Sequence, residues 1–373
     1  MGSWEALGEI LVVGGGFSGL LLASRIPGSE VFEENLNIGV PPHCTGLVSW
    51  DTIKIIGAPA RESIVSSYRY IRVLNTAGED MVILKPGQRI YKLDRILLEK
   101  LLAREAEDIG SKIHTGAKVL SVDLRGSVVV HRRGGFKRVA GSLVAIAEGS
   151  LNNISRKLGL SRKQDLLVGV QGYIDISRDV DEEEILVFID DRIFRGFFGW
   201  LVPLGNGEAI AGMASKLGDY INIALRIYLS VLRRLGYLRS NDLRGSYGGL
   251  IVRGYPLMKH YRGRVIAIGD SAGFAKPFSG GGLYPASRQV EALSTALKRA
   301  EGEEAIKKYS KLIKDEIRSL RLQWIATKAV EAIGIERAIK ILAGLGIRSI
   351  SMDYDHHEKV LPKLLLEVLA ENQ

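Results

Sequence analysis

The chain of 373 residues carries a single cysteine, Cys44. It can form no intramolecular disulfide, and so sparse a use of cysteine fits a reducing compartment. No uncharged run reaches the roughly 18 residues that a membrane span requires. The opening Met1-Gly-Ser-Trp-Glu lacks the basic region of a secretory signal. The expectation is a cytoplasmic protein, at most peripheral to a membrane. Internal repeats and low-complexity tracts are missing. His356 and His357, in Asp353-Tyr-Asp-His-His-Glu, match no common metal-ligand spacing, so that stretch is read as an exposed polar turn and no metal is expected. What is present is a folded chain: 46% hydrophobic and 25% charged residues, long enough for two domains. The net charge of +9 favours anionic partners, either membrane phospholipid or a phosphate-bearing substrate. No nucleic-acid-binding motif accompanies it.

Two glycine-rich segments carry the chemistry. Near the N-terminus an apolar strand, Ile10-Leu-Val-Val13, runs into Gly14-Gly15-Gly16-Phe17-Ser18-Gly19 and an apolar helix. In this G-x-G-x-x-G, Gly14 allows the tight turn, Gly16 lets backbone approach a diphosphate, and Gly19 lets helix pack on strand. The diphosphate would sit at the helix N-terminus. A second strand, Glu30-Val-Phe-Glu33, ends in an acid 19 residues after Gly14, where a ribose hydroxyl needs one. The plain alternative for Glu33 is a solvated strand-end carboxylate. Far along the chain, Val265-Ile-Ala-Ile leads into Gly269-Asp270 and a loop through Pro277, Gly280, Gly281, Gly282 and Leu283. A carboxylate followed by bare backbone and a helix N-terminus suits a flavin.

A dinucleotide held by both ends of one discontinuous domain resembles the geranylgeranyl reductase family, within the p-hydroxybenzoate hydroxylase-like flavoproteins. The resemblance covers roughly residues 10 to 300. It implies FAD as cofactor. It also implies roles for further segments. Tyr91-Lys-Leu-Asp94-Arg95 resembles the family's Arg-led helix, whose arginine lies beside the FAD phosphates, and Val119 lies in the strand that contacts the adenine side. Pro41-Pro-His43-Cys44-Thr45-Gly46 resembles the segment that places a cysteine next to the flavin, with an inert buried thiol as the alternative. Phe198-Gly-Trp200-Leu-Val202-Pro203 resembles the family's Tyr-x-Trp-x-Phe-Pro lining of the lipid pocket; Trp200 and Pro203 match, while Phe198 and Val202 keep the wall apolar. An ordinary core strand reads equally well. One departure matters: where relatives carry Asp-Gly-x-x-Ser-x-x-Arg, this chain has Glu148-Gly149-Ser-Leu-Asn152-Asn-Ile-Ser155-Arg156. In hydroxylases that motif is linked to FAD and NADPH, so direct use of NADPH is placed in doubt.

The expected fold is α/β: a Rossmann-type FAD-binding domain (1–60, 91–160 and 246–300), an inserted antiparallel β-sheet substrate domain (61–90 and 161–245) and a helical C-terminal region (301–373). In that tail Ile306, Tyr309, Ile313, Ile317, Leu320 and Trp324 form an apolar stripe with a basic flank. It reads as a core-packed helix in preference to one lying on a membrane. The expected activity is FAD-dependent reduction of C=C bonds in geranylgeranyl chains of lipids. A flavin monooxygenase of an aromatic or isoprenoid substrate is the alternative, and a flavin-binding lipid carrier without turnover is a third reading. An isoprenoid lipid is the expected partner, with ferredoxin or NAD(P)H as electron donor. Candidate proton donors are Cys44, His43, Tyr284 or water.

Overall fold

A computed structural model describes residues 10–42, 44–177, 180–216, 220–238 and 243–359. His43 lies outside the described residues, as do residues 1–9 and 360–373. The first structural layer is a six-stranded sheet in the order Tyr261–Arg262, Val265–Ala267, Leu143–Ile146, Ile10–Val13, Glu30–Phe32 and Lys112–His114. The inner pairings are parallel, with Val12 opposite both Ala145 and Val31, and Ala145 opposite Ile266. Ile10–Val13 and Leu143–Ile146 are buried along their whole length. That is why they read as unbroken apolar runs: a parallel sheet is covered on both faces. The helices Phe17–Ala23, Arg95–Asp108 and Leu283–Leu297 bury their apolar faces in the same core.

The second layer is an eight-stranded sheet, ordered Arg244–Arg253, Asp165–Asp175, Glu208–Lys216, Gly199–Gly205, Glu184–Ile189, Tyr70–Asn75, Asp80–Pro86 and Ser349–Met352. Five of its pairings are antiparallel. Two are parallel, Glu184–Ile189 with Tyr70–Asn75 and Ser349–Met352 with Asp80–Pro86. The expected antiparallel sheet is therefore mixed, because its two segments come from distant parts of the chain and meet edge to edge. Two further details differ from the expectation. Ser67–Leu74 is not one strand: the chain breaks at Arg69, leaving Ile64–Tyr68 in a small three-stranded sheet and Tyr70–Asn75 in the large one. The C-terminal region is not wholly helical, since Ser349–Met352 adds the last strand.

Above one end of the large sheet lie the helices Lys314–Ile333 and Ile335–Gly344, separated by Gly334 at φ +96°. The apolar stripe behaves as core: Tyr309, Ile313, Ile317 and Leu320 are buried against the first layer. Among the described residues no helix is long and apolar enough to cross a membrane.

Candidate functional site

The first glycine loop is built by contacts that exclude side chains. Gly14 sits at φ +103°, and a Cβ there would lie 2.3 Å from the Ala147 carbonyl oxygen. A Cβ on Gly19 would lie 2.1 Å from the Gly14 oxygen and 3.1 Å from Val12 Cγ1. Gly16 differs: its Cβ direction meets nothing within 4 Å, and it faces a cavity. Glu33 locks the loop. One carboxylate oxygen accepts from Gly15 N at 2.7 Å and the other from Asn35 N at 2.7 Å. It is buried rather than solvated, and each oxygen keeps a free lone pair.

The second loop docks onto the first. Gly269, at φ +64°, abuts Ser18, whose Oγ would lie 2.2 Å from an added Cβ. Gln289 Oε1 accepts from Gly269 N at 2.7 Å. Asp270 then stands over the N-terminus of Leu283–Leu297: a Cβ on Gly282 would lie 2.9 Å from its Oδ1. Burial pushes the Asp270 carboxyl up to about 6, against the pull of Arg95.

Arg95 opens the helix Arg95–Asp108, which Asp94 caps by accepting from Ile96 N and Leu97 N at 2.9 and 3.0 Å. Its guanidinium lies 5.7 Å from the Phe17 ring centroid and pairs with Glu99. Burial opposes its charge, but Glu99 and the Cys44 sulfur outweigh that and raise its pKa above the ordinary value. Its Nε is buried without a partner. An orphaned cationic donor beside open backbone at Gly16 is what an anionic diphosphate would satisfy. With Asp270 at a helix N-terminus, the donor set fits a flavin dinucleotide.

These elements share one cavity of 740 Å³. Gly16, Ser18, Cys44, Thr45, Gly46 and Arg95 line it, as do Asp270, Gly280, Gly281, Gly282 and Leu283. Phe198 and Trp200 line it too, so the aromatic segment is a cavity wall and not only a core strand. Other expected residues do not line it. Gly14, Gly19 and Glu33 shape the loop from behind, and Val119 is buried in a separate antiparallel sheet. The Pro203 carbonyl accepts from Tyr68 OH at 2.5 Å, and Pro277 is a buried turn residue outside the lining. Tyr284 lies outside the cavity lining, its hydroxyl 3.1 Å from His356 Nε2.

Several lining residues escaped the sequence reading. Gln171 Oε1 accepts from both Thr45 Oγ1 (2.6 Å) and Trp200 Nε1 (3.2 Å), tying the cysteine segment to the aromatic wall. Beyond Trp200 the cavity is walled by Ile71, Val73 and Val82 of the large sheet, faced by Val330, Ile339 and Leu342 of the C-terminal helices. The strand alternation and the helical spacing were visible, but not that the two faces oppose each other across empty space. The Asp353–Glu358 stretch is not an exposed turn. Asp355 is 3% exposed, bonded to buried Lys276, while His357 and Glu358 reach the cavity wall. Burial pushes the His357 imidazole down to about 3. Among the described residues no group of three or more His, Cys, Asp or Glu could hold a metal ion.

Glu148 explains the altered Glu-Gly segment locally. Its carboxylate accepts from Ile154 N (2.9 Å), Ser155 N (2.6 Å) and Ser155 Oγ (2.7 Å), capping the turn Asn153–Lys157.

No family model matches the chain. Among curated proteins, a digeranylgeranylglycerophospholipid reductase of Methanothermobacter thermautotrophicus is 28% identical over 292 residues, covering 75% of this chain and 74% of that protein. One from Methanopyrus kandleri is 27% identical, covering 74% and 73%. Among solved structures, a geranylgeranyl bacteriochlorophyll reductase-like protein from Thermoplasma acidophilum superposes with a TM-score of 0.83 at 21% identity, over 98% of both chains. A p-nitrophenol 4-monooxygenase from Pseudomonas putida gives 0.69 at 17% identity over 97% of both, and a flavin-dependent brominase gives 0.67 at 14% identity over 97% of this chain and 100% of the other. The chain is thus a relative of the archaeal digeranylgeranylglycerophospholipid reductases, built on the fold of flavin-dependent reductases and monooxygenases, and the resemblance of its motifs to the geranylgeranyl reductase family holds.

Proposed function

We propose that this protein is an FAD-dependent reductase of C=C bonds in geranylgeranyl chains of lipids. The observation that carries the reading is the shared cavity. One end is lined by Gly16, Arg95 and Asp270, which suit a dinucleotide, and the other by sheet and helix side chains that are mostly apolar, such as Ile71, Val73, Val330 and Leu342. Binding of a polyprenyl chain is mostly area removed from water, at about 25 cal/mol per Å². FAD held there supplies hydride chemistry. The chain's own residues position the reactants. Gly16 and Ser18 take the diphosphate with Arg95, and Asp270 accepts from a ribityl or ribose hydroxyl. Phe198 and Trp200 press the alkene against the reactive end and exclude water, which an unactivated double bond needs. Cys44 lines the same space and is the proton donor this reading favours over Tyr284, which is outside the lining. The donor of electrons in this reading is ferredoxin or NAD(P)H. Contact with a membrane surface belongs to the same reading: Leu322 and Ile325 point outward, each 57% exposed, next to Lys314 and Arg318.

The test is anaerobic incubation with chemically reduced FAD and a geranylgeranyl lipid. Mass spectrometry should show a gain of two hydrogens per double bond; an unchanged lipid refutes the reading. Because the fold is shared with monooxygenases, a parallel reaction with NADPH and O₂ is informative: incorporated oxygen would reverse the assignment.

A further inference from the structure

Outside the cavity wall lies a pair of arginines that form no ion pair among the described residues. Tyr255 follows the strand Arg244–Arg253, and both Arg162 and Arg321 stack on its ring, their Cζ atoms 4.8 and 4.7 Å from the centroid. Arg321 Nη2 donates to the Tyr255 hydroxyl at 2.7 Å. Trp324, on the same face of Lys314–Ile333, packs edge-on against Tyr255 with centroids 5.0 Å apart. The ring interactions hold both guanidinium planes in place without using up their N–H donors.

Neither arginine has an ion-pair partner among the described residues. Asp165, three residues after Arg162, is committed to Arg253 and Lys328. Lys163 adds a further exposed positive charge. Two cations on one ring are at most about 9.5 Å apart, comparable to the screening length of about 8–10 Å. They repel each other unless an anion joins them. A phosphate ester carries the negative charge that offsets this repulsion, and its oxygens accept charge-assisted hydrogen bonds from a guanidinium.

The cluster adjoins the cavity. Gln164 Nε2 donates to the Asp270 carbonyl at 2.9 Å, and Gln323, two residues after Arg321, lines the cavity. We propose that Arg162, Tyr255 and Arg321 form a recognition site for a phosphate ester on the outer side of the helix Lys314–Ile333, whose Gln323 and Thr327 line the cavity. The phosphate belongs either to a phospholipid headgroup whose chain enters the cavity or to a phosphorylated nicotinamide donor. The first source rests on the function proposed above, whereas the site itself does not.

The test is calorimetric titration of the full-length flavin-loaded protein with glycerol phosphate, with adenosine 2′,5′-bisphosphate, and with uncharged geranylgeraniol. Arg162→Gln and Arg321→Gln should each weaken binding of a phosphate probe at least tenfold, and the pair should abolish it, with geranylgeraniol binding unchanged. Arg162→Lys and Arg321→Lys keep the charge but lose the fork, and should fall in between; they also serve if the glutamine variants do not fold. The probe that responds names the source. Should the wild type bind neither phosphate probe, or the double variant bind as tightly as the wild type, the site is refuted. Failure of geranylgeraniol alone to bind the wild type counts against the lipid cavity and leaves the phosphate site standing.

Discussion

Gly16→Ala separates the two jobs that glycine does in the first loop. Gly16 has φ −81° and ψ −174°, values any residue adopts, and its Cβ direction is clear for 4 Å. Alanine there reduces the freedom of the unfolded chain, a gain of about 0.4–1 kcal/mol, and forfeits about 0.5–1 kcal/mol because alanine is a poorer helix N-cap than glycine. The stability of the flavin-free protein should therefore stay within about 1 kcal/mol of wild type. The new methyl, however, projects into the cavity, where the proposed function puts a diphosphate. Flavin affinity should fall at least about tenfold, or ~1.4 kcal/mol. Gly19→Ala is the opposite case. Its Cβ would lie 2.1 Å from the Gly14 oxygen, in contact with backbone that cannot swing aside. Forced overpacking of this kind costs about 1–3 kcal/mol, which should lower the thermal midpoint of the flavin-free chain by several degrees. Thermal unfolding of flavin-free protein and titration with FAD followed by absorbance measure both quantities. The reasoning is refuted if Gly16→Ala binds FAD as tightly as wild type, or if it destabilises the flavin-free chain as much as Gly19→Ala does.

Two further outcomes follow from the same site. The Asp270 carboxyl has a folded pKa of about 6 against an ordinary 3.8; the folded flavin-free chain thus binds an extra proton between these values. Its stability contribution is complete below about pH 4 and is lost as pH rises through about 6, by at most ~3 kcal/mol at 1.36 kcal/mol per pKa unit. Asp270→Asn should flatten that stretch of the stability–pH curve, and an unchanged slope in pH-dependent thermal unfolding would locate the effect elsewhere. Ala338 faces the cavity from Ile335–Gly344. Ala338→Trp should fill that end and reduce geranylgeraniol binding at least about tenfold while leaving FAD affinity intact; equal losses of both would mean a general disturbance of the fold.

The sequence by itself determined the first glycine loop, because its requirements are local. A strand, a turn at φ +103° that only glycine accepts readily, and a helix starting at Phe17 all fall within a few residues. Asp270 and the glycines after it were legible for the same reason, as was Arg95 at the start of a capped helix. The tertiary structure decided everything that depends on distant segments meeting. Gln171 joins Thr45 to Trp200 across 126 and 29 residues of chain, and no local pattern marks such a residue. Ser349–Met352 becomes a strand by pairing with Asp80–Pro86, where an edge was available to it. His357 reads as a solvated turn residue, yet Lys276 and Asp355 draw its neighbourhood inward through a buried ion pair. The apolar stripe from Ile306 to Trp324 read as core, and that reading stopped short of Val330, Ile339 and Leu342, which face the cavity. Periodicity reports that a face leaves water, but whether it meets another side chain or a cavity is set by how far apart the two layers are held.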